Sequence, residues 1–340
     1  MSLVIDYSTG FFEAAPTGEG VGTDPSTIGD PSFANVELLL HGDGTSGSTT
    51  ITDSSSNAVV VTANGNAQID TAVKKFGTGS IEFDGTNSEL TLASGFIGSG
   101  DFTIEYFVQG ANSDGYHFDF QGTNRLSIWY EDTTTSSAFE YSINAYDTNY
   151  RGQANSLPFA TYTGGFNHIA VVRSSGTMKI YINGTSIASW SNSLDYSDAA
   201  LTIGNTVASR SFDKWMEGFI DDIRITKGTA RYTSNFTPPT AAFSNTGPTL
   251  DLSSGNVFSH APSANVAYAF TNPPSSGTAY DFTLKVTPSA TVAITWPSSV
   301  EWPSGTAPTA PASGETDIYT FFTTDNGTTY YGNQVGDAVS

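Results

Sequence analysis

Cysteine is absent from all 340 residues. That excludes a disulfide framework, a thiolate metal site and a cysteine nucleophile. Charge is scarce, and positive charge most of all. Lys and Arg number 12 against 33 Asp and Glu, for a formal net charge of -21, and charged residues make up 13% of the chain, about half the ~25% of an ordinary domain. Phosphate affinity is supplied by clustered Lys and Arg, and these twelve are scattered, so nucleic-acid binding is not expected. The same charge disfavours docking to anionic lipid or polysaccharide unless divalent cations bridge. No run reaches the ~18–20 apolar residues of a membrane span, so no membrane insertion is expected. Met1–Asp6 shows no basic start followed by an apolar run, so no secretory signal is expected either. No segment of ten or more residues carries a 3.6-residue apolar stripe, which leaves little room for helix.

Aromatic residues, by contrast, are plentiful: 22 Phe, 16 Tyr and 5 Trp, too many for a chain that buries nothing. Ser and Thr together number 88, and Gly adds 34. Residues 1–33 are polar and broken by Pro16, Pro25 and Pro31. They read as an extended arm, with Phe11 and Phe12 as the side chains a partner could grip.

From Phe33 onward short strands succeed one another, separated by turn residues every 8–12 positions, the spacing of an all-β sandwich or barrel. Val36–His41 is an apolar run, Ala58–Thr62 is β-branched, and Ser80–Asp84 alternates. In Asp101–Gln109, Phe102, Ile104, Tyr106 and Val108 share one face. Further strands are expected at Arg125–Tyr130, Phe139–Asn144, His168–Ser174, Met178–Ile182, Ile187–Ser189, Leu201–Ile203 and Gly218–Thr226. Asn183-Gly184 suits the type I′ turn of a hairpin, which needs positive φ at both positions. A boundary falls near Asn235–Pro248. The remainder, 251–340 after a short linker at 244–250, carries one basic residue, Lys285, and reads as a second, smaller β-sandwich.

Six pieces in order carry a resemblance: LLLHGDG at 38–44, KKFGTGSIEFDGTNSELTL at 74–92, DFTIEYFVQ at 101–109, FNHIAVVRSSGTMKIYINGTSIAS at 166–189, LTIGN at 201–205 and GFIDDIRITKGTARYTSNFTPPTAAF at 218–243. Together, residues 34–243 resemble the laminin-G-like, concanavalin A-like jelly roll. This implies a two-sheet antiparallel sandwich of the kind that often serves as a carbohydrate-binding or adhesive module; it implies no activity, because the fold carries many functions. The pieces YDFTLKV (280–286), ITWPSSVEWPSGTAPTAP (294–311) and ETDIYTFFTTDNGTTYYGNQVGD (315–337) resemble the C-terminal sandwich of bacteriophage fibre and virion-surface proteins.

Candidate chemistry is limited. Glucanases of this fold place their acids as Glu-x-Asp-x-Glu on one strand, because alternate residues share a face. No such triplet occurs; Glu315-Thr-Asp317 lacks the third acid, and Glu217 with Asp221–Asp222 has the wrong spacing. Four histidines, His41, His117, His168 and His260, have no Gly-x-Ser-x-Gly elbow beside them, and His168 reads as a packing residue. Soft metal ligands are missing, and loop oxygens suit Ca²⁺; the resemblance implies one calcium near a strand end. Asp43, Asp53, Asp84, Asp221 and Asp222 are the candidate ligands, with turn-capping or ion-pairing as the alternative. Sugar recognition needs exposed aromatics beside polar groups. The loop segments holding Tyr116 and His117, Tyr146, Tyr150 and Arg151, and Trp215 have that composition. Trp296 and Trp302 are expected in the small domain's core or a subunit interface.

The two resemblances together imply a non-enzymatic structural protein on the surface of a phage particle, a short tail fibre or adhesin that contacts host glycan. They imply anchorage to other virion proteins through the arm and, by family analogy, a homotrimer. A capsid decoration or head-fibre protein is one alternative, and a free bacterial lectin is another.

Overall fold

A computed structural model describes residues 3–5, 12–14, 29–111, 115–132, 141–147, 151–154, 159–206, 215–262 and 265–339; for 3–5, 12–14, 131–132, 141–147, 151–154 and 159–160 the description is of the backbone alone. The chain divides into two compact units, Asn35–Phe243 in one and Met1–Ala34 with Ser244–Ser340 in the other.

Asn35–Phe243 is a two-sheet jelly roll. One sheet runs in the order Arg151–Ala154, Tyr141–Asp147, Arg125–Asp132, Gly115–Gln121, Ala200–Ile203, Glu89–Ser94, Thr62–Asn64. The other runs Thr185–Ser191, Thr177–Ile182, Asn167–Ser174, Phe102–Gly110, Glu217–Lys227, Ser80–Asp84, Gln68–Asp70, and Val36–Leu40 also pairs with Glu217–Lys227. All these pairings are antiparallel. The core lies between the sheets. Period-two alternation sends Phe118, Phe120, Leu126, Ile128, Leu201 and Ile203 inward from the first sheet, against Ile81, Phe83, Ile104, Ile169, Ile180 and Ile220 from the second. Each such side chain, fully buried, contributes roughly 1.5–3 kcal/mol of transfer free energy.

The outer face of the second sheet is itself partly covered. Ala230, Tyr232 and Phe236 of the segment following the last strand pack on Ala170, Val172 and Tyr181. Asn167–Ser174 is therefore buried on both faces, which is why its centre, Ile169–Val172, is a continuous apolar run rather than an alternation. Polar groups under that cover must find partners there. The Glu105 carboxylate, 0% exposed, accepts from Arg224 Nε at 3.0 Å and Arg224 Nη2 at 2.8 Å, and from the Tyr232 hydroxyl at 2.8 Å. His168 Nε2 lies 3.2 Å from the same carboxylate. Burial would raise the Glu105 carboxyl, but Arg224 and His168 hold it well below the usual range.

The expected hairpin is present: Ile182 pairs across from Thr185, with φ +48° at Asn183 and +79° at Gly184. Ala58–Thr62 is not a strand; only Thr62–Asn64 pairs. Helix is limited to Phe159–Gly164 and two 3₁₀ turns among the described residues.

In the other unit, a five-stranded sheet runs Val257–His260, Tyr280–Val286, Asp317–Thr323, Tyr330–Gly336, Val300–Glu301. Two short parallel pairs, Thr249–Asp251 with Ala269–Thr271 and Val266–Ala267 with Ile294–Thr295, complete it. Phe282, Phe321 and Tyr330 form its core, with Phe270, Trp296 and Trp302 packed against them. At the N-terminus, Leu3–Ile5 and Phe12–Ala14 pair as an antiparallel hairpin where extended chain is expected from the punctuation. Phe12 lies on that strand, and Phe11 lies outside the described residues.

Candidate functional site

The outward face of the first sheet carries a mixed aromatic and polar surface. Its centre is made by Gly115–Gln121 and Arg125–Asp132. On the second of these strands, Leu126, Ile128 and Tyr130 point into the core, so Arg125, Ser127 and Trp129 point out. Ser127 pairs with Asp119, Ile128 with Phe118, and Trp129 with Tyr116, so the register skips His117. This β-bulge resets the alternation, placing Tyr116 outward beside Trp129. The two rings are half-buried, with centroids 5.7 Å apart and planes at 32°.

Two residue pairs along, Asp119 is saturated with donors. Its carboxylate accepts from Arg125 Nε at 2.7 Å, Arg125 Nη2 at 2.8 Å, the Ser127 hydroxyl at 2.7 Å, the Thr206 hydroxyl at 2.9 Å and Gln121 Nε2 at 2.9 Å. Arg125 Nη2 also donates to Thr206 Oγ1 at 2.6 Å. The bidentate guanidinium fork fixes Arg125 in place, its side chain 12% exposed over a fully buried Asp119. The result is a rigid aromatic pair beside a rigid polar cluster.

The backbone register pairs two further sequence candidates within this sheet. Tyr146 pairs with Ser127, and Arg151 pairs with Tyr146. Trp215 is half-buried and immediately precedes Met216, whose backbone lies against Gly115. Tyr150 lies outside the described residues. His117 is a correction. It is not in a loop but 0% exposed in the core, with Nδ1 2.8 Å from the Tyr106 hydroxyl and Nε2 2.8 Å from the Tyr162 hydroxyl. Burial pushes its imidazole down to about 3, so it stays neutral and contacts no ligand from outside. Sequence reading missed Trp129, Arg125, Ser127 and Asp119. The signal was available in Arg-x-Ser-x-Trp at 125–129, whose period-two spacing marks one face of a strand.

The aspartates considered for calcium divide into two places. Asp43, Asp221 and Asp222 gather around His41, and all three raise its imidazole against the lowering effect of burial. Asp222 sits at φ +51° in a bulge, with Oδ1 2.6 Å from His41 Nδ1 and Oδ2 accepting the Phe243 N–H at 2.6 Å. Asp43 accepts from the N–H and the hydroxyl of Thr78. Asp221 is 0% exposed; its Oδ2 accepts the N–H groups of Lys75 at 2.6 Å and Phe76 at 3.0 Å, and its Oδ1 has no partner. Burial pushes the Asp221 carboxyl up to about 7 despite those two donors. Asp84 stands apart, capping the turn after its strand through Thr86, Asn87 and Ser88. Asp53 likewise accepts the N–H groups of Leu39, Ser55 and Val59. Each of these carboxylates is engaged by protein donors, with Asp221 Oδ1 left over. Among the described residues, no three His, Asp or Glu side chains are placed to hold a metal ion.

Residues 84–231 match a family model, Laminin_G_3, described as the concanavalin A-like lectin/glucanases superfamily. No curated protein matches the chain. Among solved structures, similarity extends to domain 4 of AbnA, an extracellular arabinanase from Geobacillus stearothermophilus in complex with arabinotriose, at 19% identity and TM-score 0.42 over 58% of this chain and 94% of that one. It extends also to domains LG4-5 of the mouse laminin α1 chain, at 14% identity and TM-score 0.34 over 42% and 40%. The pentraxin of Limulus polyphemus is similar at 15% identity and TM-score 0.33 over 42% and 73%.

Proposed function

We propose that the jelly-roll unit is a non-enzymatic glycan-binding module that reads sugar rings with its Tyr116–Trp129 face. The observation that carries this reading is the partly buried ring pair held beside the Asp119–Arg125–Ser127 cluster. Sugar rings offer C–H faces to aromatic surfaces and hydroxyls to polar groups; this face supplies the two rings, with the 12% exposed Arg125 side chain as the polar group at their edge. The non-enzymatic half rests on Asp119. Glycosidases need one carboxyl to carry a proton and a second to act as nucleophile or base. Asp119, two residue pairs from the rings, is ringed by donors from four side chains and is unsuited to either role.

The setting we propose is the surface of a phage particle, as a short fibre or adhesin, with the decoration role as the variant. It rests on the sequence likeness of residues 280–337 to phage fibre ends. Assembly as a homotrimer and attachment through residues 1–33 belong to the same proposal. Trp129→Ala and Tyr116→Ala are expected to abolish retention of the protein on a glycan array while leaving its melting temperature within a few degrees. Unchanged retention would remove the aromatic face from the reading. Immunogold labelling of particles with antibody to residues 250–340 checks the setting: tail label supports the adhesin, head label the decoration protein, and absence of label a free lectin.

A further inference from the structure

A cleft of about 520 Å³ opens on the other sheet, at the edge formed by Gln68–Asp70 and Ser80–Asp84. Its lining includes Thr49, Asn66, Gln68, Glu82 and Asp84, with no aromatic residue. Alternation explains the composition. Ile69, Ile81 and Phe83 point into the core, so Gln68, Glu82 and Asp84 stand on the outer face.

Hydrogen bonding within the cleft gives it one polarity. Gln68 Nε2 donates to Glu82 Oε2 at 2.8 Å, and Asn66 Nδ2 donates to Asp84 Oδ2 at 2.7 Å. Each amide thus spends an N–H on a carboxylate and retains its carbonyl oxygen as an acceptor. Burial would raise the Asp84 carboxyl, but the N–H groups of Thr86 and Asn87 and the Asn66 side chain hold it well below the usual range. It is therefore an anionic acceptor at every ordinary pH. Gln68 Oε1, Asn66 Oδ1, Glu82 and the Thr49 hydroxyl complete a wall dominated by acceptors.

The wall is held rigidly. Gly65, at φ +61°, packs so closely on the Asn87 carbonyl that a Cβ would collide with it. The Asn66 N–H donates to Asn87 Oδ1 at 3.0 Å. Ser48, next to Thr49, accepts the Ile69 N–H at 2.8 Å, and Gly47 donates to the Ile69 carbonyl at 2.8 Å. Such contacts hold in place the backbone that carries the lining side chains.

We propose that this cleft is a second sugar site, binding a neutral mono- or disaccharide edge-on, with sugar hydroxyls donating to Glu82, Gln68 and Asn66. Its volume lies within the ~300–1,000 Å³ of small-molecule sites, far larger than one ion requires. An anionic ligand would meet Glu82 and Asp84, and an apolar one would leave the acceptors unpaired. The proposal does not depend on the Tyr116–Trp129 face. Two sites on different sheets of one module would add avidity on a polysaccharide that reaches both.

The test is NMR titration of the ¹⁵N-labelled full chain with lactose, maltose and cellobiose. The side-chain amide signals of Asn66 and Gln68 and the indole signal of Trp129 are followed. The amide signals are expected to shift saturably with at least one disaccharide, to do so equally in Trp129→Ala, and to show Kd weakened about tenfold in Glu82→Gln, near the worth of one hydrogen bond. Gln68→Ala serves if Glu82→Gln does not fold. Three results overturn the proposal: no amide shift at about 50 mM of every sugar, where a millimolar site would be filled; amide shifts lost in Trp129→Ala; or amide shifts with CaCl₂ and with none of the sugars. A still indole signal beside shifting amides would instead count against the aromatic face alone.

Discussion

A carboxyl that keeps one oxygen sealed from solvent and unpartnered, as Asp221 does, binds its proton more tightly in the folded chain than in the unfolded one. The sign is opposite to that of most folded carboxylates. Between an ordinary carboxylate value near 4 and the folded value of about 7, the folded state holds the extra proton, so this residue's contribution to stability falls as pH rises through that window. A shift of roughly three units corresponds to about 4 kcal/mol between its ends. Asp221→Asn keeps the shape and removes the titration. The variant is expected to melt above the parent at pH 8 and to approach it at pH 4.5. Melting temperatures of both proteins across that range check this; the difference between them isolates Asp221 from His117, whose lowered imidazole acts in the opposite sense as pH falls. Asp221–Asp222 stood out in the sequence as a pair of acids between isoleucines. Their division of labour was not visible there, because one residue of a bulge cannot be told from its neighbour without the partner strand.

Turns and bulges set the function at the scale of elements. The Asn183-Gly184 turn was legible because its chemistry is local: two positive φ values and two residue types that accept them. The structure adds a tertiary demand. A Cβ on Gly184 would collide with the Phe236 carbonyl, part of the cover over the second sheet. Gly176 also has positive φ, at +75°, but the nearest atom to its Cβ would be the Asn192 carbonyl oxygen at 3.7 Å. Gly184→Ala is therefore expected to destabilise the protein by about 2–4 kcal/mol and Gly176→Ala by about 1 kcal/mol, as backbone strain with and without a steric clash. Urea denaturation of the two variants checks the ranking. The bulge at His117 had no such local signature. It decides which aromatic residue of Tyr116 and His117 faces outward, and so decides what the candidate site contains.

Among the described residues, each of the two compact units has its own main core. The cluster around Ile104, Phe118 and Ile220 draws only on Asn35–Phe243, and that around Phe282 and Phe321 only on the C-terminal part. A fragment of residues 35–243, expressed alone, is expected to fold and to melt in one cooperative transition. EGTA is expected to leave that transition in place, because Asp43, Asp84 and Asp222 each accept hydrogen bonds from protein groups. Differential scanning calorimetry with and without chelator tests both points, and a chelator-dependent fall in melting temperature would reinstate a structural calcium.

The sequence by itself determined the fold class, the near absence of helix and the type I′ hairpin. Each depends on short-range physics: period-two burial, turn chemistry, and the lack of a helical stripe. It also determined what the protein does not carry, since missing cysteine and sparse basic residues are facts of composition. Only the tertiary structure decided which polar residues meet. Asp119 finds Thr206, Glu105 finds Arg224, and Gln68 finds Glu82 across strands far apart in the chain or joined by an unpredicted register. A one-residue shift in register turns every side chain to the other face. The makeup of a binding surface on a β-sheet therefore belongs to strand pairing, which a single strand's sequence does not contain.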